Sequence, residues 1–207
     1  MGGELTVTAS QGSQSPSVTA YIAGVQIPTA TLVNQLVTDY GSSQPTPRLM
    51  TGVAWIESTI RQFWSGTLYG QNLLWPLESG GDGGSHIGLM QMPTSMDYAF
   101  NWQDNASNAI ALFNQKTSIA TTVANSEISS YSGLPALTGV QLENMALTLY
   151  GPYAGGTNPA KQYYVPGCVG GTASGTTCTG GTWQWVVNTA GNANGVAYAN
   201  SCRSSMQ

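Results

Sequence analysis

Charged side chains are nearly absent from this 207-residue chain, in which Lys, Arg, Asp and Glu together make up 7%. Surface ion-pair networks are therefore excluded as a source of stability, and solubility rests on the hydroxyls and amides of abundant Ser, Thr, Asn and Gln. The five basic residues, Arg48, Arg61, Lys116, Lys161 and Arg203, are scattered and outnumbered by nine acids. There is no basic stripe to neutralise phosphates, so nucleic acid is not an expected partner. Histidine occurs once, at His86, and the three cysteines are wrongly spaced for a zinc site, so neither a metal nor a cofactor is expected. No stretch approaches the ~20 apolar residues that cross a bilayer. The N-terminus also lacks a charged region leading into an apolar core, so neither a membrane span nor a signal peptide is expected.

The length suits one domain with a sizeable core and an appendage. Residues 1–27 read as an extended leader, the tail of an upstream β module, because Leu5 to Ala9 alternate like a strand and turn-forming residues fill the stretch from Ser10 to Ser17. Residues 28–207 read as the main domain. Leu32, Val33, Leu36 and Val37 recur at helical spacing between a Thr29 or Thr31 cap and Gly41. A second helix is expected to carry Leu49, Val53, Ile56, Ile60 and Phe63 on one face. Residues 65–92 suggest an irregular, β-containing lobe. A short helix capped by Thr94 or Ser95 follows, then one from Asp104 or Asn105 to about Ser126, and a buried one bearing Val140, Leu142, Met145, Leu147 and Leu149. A last helix is expected from about Trp183 to Tyr198. The implied fold class is mainly α with α+β character: a helical domain, a small irregular β lobe and a Gly/Thr-rich C-terminal extension.

All three cysteines lie in that extension. A bridge between Cys168 and Cys178 would close the Gly/Thr-rich loop between them and remove about 3 kcal/mol of unfolded-chain freedom. Cys202 can take either partner instead, and three reduced thiols also satisfy the odd count. The bridge favours an oxidising compartment.

Two segments carry the chemistry. Glu57, in Val53-Ala-Trp-Ile-Glu57-Ser58, follows Ile56 and lies three residues before Ile60, so it borders an apolar stripe. Burial there would raise its pKa and keep it protonated for donation to a leaving oxygen. Downstream, Gly88-Leu-Met-Gln91-Met-Pro93 forms a turn suited to walling a cleft. Between them the run Glu78-Ser-Gly-Gly-Asp82-Gly-Gly-Ser-His86 makes a loop in which Asp82 reads equally as a functional carboxylate and as a turn cap.

The order of these features resembles the lysozyme-like glycosidases that include soluble lytic transglycosylases and goose-type lysozymes. Glu57-Ser58 is similar to the family's catalytic Glu-Ser, and Gly88 to Pro93 to its GLMQ-x-P turn. Asn105 to Phe113 is similar to the helix that follows. Met145 to Gly156 matches more loosely the segment that usually contains Ala-Tyr-Asn, with Gly151 standing where the family commonly has Asn. The resemblance covers about residues 46–165.

It implies cleavage of the β-1,4 bond between N-acetylmuramic acid and N-acetylglucosamine in peptidoglycan, with Glu57 as general acid. Hydrolysis would use Asp82 to position water, with Glu78 in reserve; attack by the sugar's own 6-hydroxyl would give 1,6-anhydro ends without a second carboxylate. A non-catalytic glycan-binding module is the reading from another class. The implied substrate contacts are Ser58, Gln91, the backbone at Met90, Tyr150 and Tyr153. Trp64, Trp75 and Trp102 are either sugar-stacking or core residues. The partners implied are peptidoglycan glycan strands and, for an antibacterial weapon, a cognate inhibitor or immunity protein. The chain is expected to act as a monomer in the periplasm or outside the cell, as part of a larger exported or delivered protein.

Overall fold

The computed structural model describes residues 3–41, 44–151 and 156–207. The protein is a mixed α/β fold, about 42% helical and 24% strand, with six helices and several small antiparallel sheets among the described residues. This corrects the mainly α expectation. The chain forms two compact units, Met1–Leu36 with Ala54–Ala109 and Val37–Val53 with Ile110–Gln207. The helices are α1 (Thr29–Tyr40), α2 (Leu49–Ser58), α3 (Met96–Phe100), α4 (Trp102–Ser130), α5 (Gly139–Tyr150) and α6 (Ala193–Ser204).

In the first unit the leader is a hairpin of β1 (Gly3–Thr8) and β2 (Ser17–Ile22), with Leu5, Val7 and Val18 exposed. A second hairpin pairs β3 (Phe63–Leu68) with β4 (Gln71–Pro76). Its turn residues Tyr69 and Gly70 both have positive φ, 52° and 72°, the backbone handedness that matches strand twist in a two-residue hairpin. Trp75 is buried and donates its indole N–H to the Gly66 carbonyl at 2.9 Å. Trp102 is also a core residue, whereas Trp64 stands partly exposed.

The expected long second helix is cut short. α2 stops at Ser58, Ile60 turns back to donate its N–H to the Ala54 carbonyl, and Phe63 opens β3 instead of extending the helical face. Thr59 and Ile60 both take positive φ, 53° and 55°, a left-handed conformation that costs a β-branched residue of order 1–2 kcal/mol. Burial of Ile60 offsets part of that cost. α4 begins earlier and ends later than the sequence suggests, because the Asn101 carboxamide accepts from the amides of Gln103 and Asp104 and caps it at Trp102.

In the second unit α5 is buried on most of its surface, and the side chains at Glu143, Asn144 and Thr148 are buried along with its apolar residues. Glu143 is surrounded by donors. Tyr40 Oη lies 3.1 Å away, the Thr46 amide 3.0 Å, the Thr46 hydroxyl 2.6 Å and an Arg203 guanidinium nitrogen 3.0 Å. Arg203 also donates to the Val140 carbonyl and the Asn144 carboxamide oxygen. α6 thereby fastens to α5 through a satisfied ion pair.

The segment expected as the last helix divides in two. Residues Thr182–Val187 form strand β10, paired antiparallel with β7 (Tyr164–Val169), and α6 starts later, with Asn192 capping the Gly195 amide. Alternating aromatic and β-branched side chains suit a pleated surface better than a helix. Trp183 is buried against Tyr131, and Trp185 donates to the Pro135 carbonyl at 2.7 Å. Cys168 and Cys178 form a disulfide, which spans from β7 to β9 (Thr177–Thr179), the partner of β8 (Thr172–Ser174). Cys202 is a buried thiol.

Burial, then the neighbouring Glu143 carboxylate, push the Tyr40 phenol well above its usual range. A raised folded-state pKa contributes stability in full below the unfolded value of about 10 and loses it as the pH climbs further. The unfolding free energy measured by denaturant titration is expected to fall above pH ~10, and Tyr40→Phe is expected to make that decline shallower. An unchanged slope in the variant would contradict this assignment.

Candidate functional site

Glu57 lies in the last turn of α2, half-buried, beside a buried Ser58. The Ser58 hydroxyl is 2.7 Å from the Leu89 carbonyl oxygen and 3.0 Å from that of Ala54, while its oxygen accepts the Arg61 amide at 3.1 Å. Its one proton is thus used inside the protein. Ser58 is not placed to contact a sugar; it ties the Glu57 end of α2 to the turn over residues 88–91.

Two further buried amides hold that turn. Gln62 accepts the Leu89 N–H at 2.8 Å and donates to the carbonyls of Tyr98 and Ala99 at 2.7 and 3.0 Å. Asn105 accepts the Met90 N–H at 2.8 Å and donates to the Ile87 carbonyl at 2.8 Å. The Tyr98 and Ala99 carbonyls belong to the end of α3, where a helix leaves its last acceptors unpaired. Gln62 and Asn105 therefore join the turn to α3 through backbone groups that would otherwise be buried without partners.

Gly88 makes this fit. Its φ is +83°, and a Cβ built there would stand 2.6 Å from the Asn105 amide nitrogen and 2.7 Å from both polar atoms of the Gln62 carboxamide. Gln91, at φ 46°, closes the turn, its backbone N–H and its side-chain Nε2 donating to the Gly88 carbonyl at 3.2 and 2.9 Å. The Gln91 side-chain oxygen is buried with no hydrogen-bond partner. Met90 is buried among core residues, leaving its backbone to the turn.

In the glycine-rich loop both carboxylate oxygens of Asp82 have partners. One carboxylate oxygen accepts the Ser85 amide at 3.0 Å, as a turn cap does, and the other lies 2.5 Å from His86 Nδ1. The hydrogen bond with His86 is the main reason that the Asp82 pKa is lowered, with Ser79 and Ser85 adding to it. Its carboxylate is thus held ionised, a poor proton acceptor but a good orienter of the imidazole. Glu78 is exposed, at an isolated bridge to Ile87.

Tyr150 belongs to the second unit, where its ring lies 6.1 Å from that of Phe113. Tyr153 lies outside the described residues. At Gly151 a Cβ would come 2.7 Å from the Tyr198 ring. A larger side chain there fits only if the Tyr198 ring shifts.

Gln62 and the Asp82–His86 pair are the site features that sequence reading missed. Nothing in the local pattern marks Gln62 as buried, whereas the four-residue spacing of Asp82 and His86 was visible but is informative only once the loop folds back. Among the described residues, no group of three or more His, Cys, Asp and Glu side chains could hold a metal ion, and no helix is long and apolar enough to cross a membrane. Comparison with protein-family models, curated proteins and solved structures finds no match.

Removing the amide at Asn105 would leave the Met90 N–H and Ile87 carbonyl buried without partners, at about 1–3 kcal/mol each. Asn105→Ala is expected to lower the unfolding free energy by about 2–4 kcal/mol on the same principle, and Gly88→Ala by a similar amount through backbone strain and overlap. Denaturant titration checks both, and a loss below about 0.5 kcal/mol in either would show that the clamp is not tight.

Proposed function

We propose that this chain cleaves the β-1,4 bond between N-acetylmuramic acid and N-acetylglucosamine in peptidoglycan strands, with Glu57 as the general acid. The observation that carries the reading is the Ser58 hydrogen bond to Leu89. It ties the helix end that carries the half-buried Glu57 to a turn whose sequence is similar to the glycan-cleft turn of lysozyme-like glycosidases. Such an arrangement serves proton donation, because an acid that reaches a glycosidic oxygen must be held in place by the main chain around it and partly shielded from water.

Glu57 would protonate the glycosidic oxygen as the bond to the anomeric carbon lengthens and positive charge develops on the sugar ring. Gln91 and the turn backbone would line the groove for the acetamido-bearing sugars. A charge-poor, amide-rich chain with a net charge of −4 suits a hydroxylated glycan better than a polyanion. The Cys168–Cys178 disulfide supports activity in the periplasm or outside the cell, where such bonds persist.

Glu57→Gln keeps the shape of the side chain and removes the acid. Release of soluble muropeptides from purified peptidoglycan, followed by mass spectrometry, is expected to fall by about 10²–10⁴-fold in this variant while its unfolding curve stays close to that of the parent protein. Undiminished release would eliminate Glu57 as the acid.

A further inference from the structure

We propose that the water attacking the anomeric carbon is activated by His86, with Asp82 as its positioning residue, so that the second catalytic group of this chain is an imidazole and not a carboxylate. This rests on the glycosidase reading given above. The carboxylate of Asp82 is anchored on one oxygen by the Ser85 amide and faces His86 Nδ1 at 2.5 Å with the other. That contact selects the tautomer with the proton on Nδ1 and leaves the lone pair on Nε2. Nε2 makes no hydrogen bond among the described residues, and the His86 side chain is 46% exposed, so a water molecule can reach it. An aspartate behind a histidine orients the ring and stabilises the imidazolium that forms on proton transfer.

The dyad is also tied to the acid through the chain. His86 opens the two-residue strand β5 (His86–Ile87), whose next residues form the turn that Ser58 grips at Leu89, and Ser58 directly follows Glu57. Ile87 is fully buried, so His86 projects from the opposite side of that strand. The glycines at 83 and 84, with φ of +69° and +80°, let the loop curl back so that residues 82 and 86 meet.

The step balances without an added reactant. Glu57 gives its proton to the leaving oxygen, the bond from that oxygen to the anomeric carbon breaks, and water oxygen bonds to the carbon as His86 Nε2 takes the water proton. The products are a reducing-end sugar and a free hydroxyl on the leaving sugar, with Glu57 ionised and His86 protonated. Exchange with solvent restores both.

The test compares products from purified peptidoglycan digested by the full chain and by His86→Gln, Asp82→Asn and Glu57→Gln variants, each checked for an unaltered unfolding curve. Reducing ends and 1,6-anhydro ends are counted separately by mass spectrometry. The expected result is reducing ends from the parent protein, a loss of about 10²-fold or more in His86→Gln and a smaller loss in Asp82→Asn. His86→Ala is expected to regain reducing-end release when imidazole is added, which a purely structural role would not produce. Full release by His86→Gln, or anhydro ends alone from the parent, would overturn the dyad while leaving a glycosidase dependent on Glu57. No cleavage by the parent protein, or full cleavage by Glu57→Gln, would overturn the underlying reading and the dyad with it.

Discussion

The first unit depends on three buried polar side chains, Ser58, Gln62 and Asn105, that hold one short turn by its backbone. Within the turn over residues 88–91 the Gln91 side chain bonds the Gly88 carbonyl, while Leu89 and Met90 are buried apolar groups. The Leu89 carbonyl, the Leu89 and Met90 amides and the Ile87 carbonyl just before the turn are matched to donors and acceptors from α2, from the segment after it and from α4. Each of these bonds contributes only about 1 kcal/mol net, but each leaves a larger penalty behind if one partner is removed. That asymmetry makes the arrangement specific: the turn is held in one register against Ser58, Gln62 and Asn105.

Strain is concentrated around the same place. Thr59, Ile60 and Gln91 take left-handed backbone conformations within a few residues of the Ser58–Leu89 contact. A β-branched residue adopts such a conformation only where its surroundings over-determine it. Here the sharp stop of α2 leaves the carboxylate in the final helical turn and sends the chain directly into the β3–β4 hairpin. The second unit has a different cement, a buried Glu143 with four donors and an Arg203 that reaches it from the last helix. In a chain with so few charges, that pair is placed where low dielectric strengthens it and where the hydrogen bonds around it offset desolvation.

Periodicity made the long, regular elements legible. Leu32 and Leu36 mark the buried face of α1, and the apolar residues from Met145 to Leu149 mark α5. Ser95 is the cap of α3 as its side-chain chemistry indicates. Where the pattern misled, two periods competed over a short window. Ile60 and Phe63 continue the helical spacing of α2 but are claimed by a strained turn and a strand, and Trp183, Trp185 and Val187 pair with β7 because tertiary contacts outweigh a weak helical preference. Those reassignments turn a mainly α expectation into a mixed fold.

The sequence by itself determined the order of Glu57-Ser58, the acidic glycine loop and the Gly88 to Pro93 block, together with the near absence of charge and the Cys168–Cys178 spacing. Only the tertiary structure decided what those residues touch. Ser58 turned inward to a carbonyl, Asp82 turned to His86, and Gln62, unmarked in its local pattern, became part of the clamp. The reason is that a hydrogen bond is short and directional, so its partner is fixed by where the folded backbone brings donors and acceptors together across tens of residues, which local spacing does not encode.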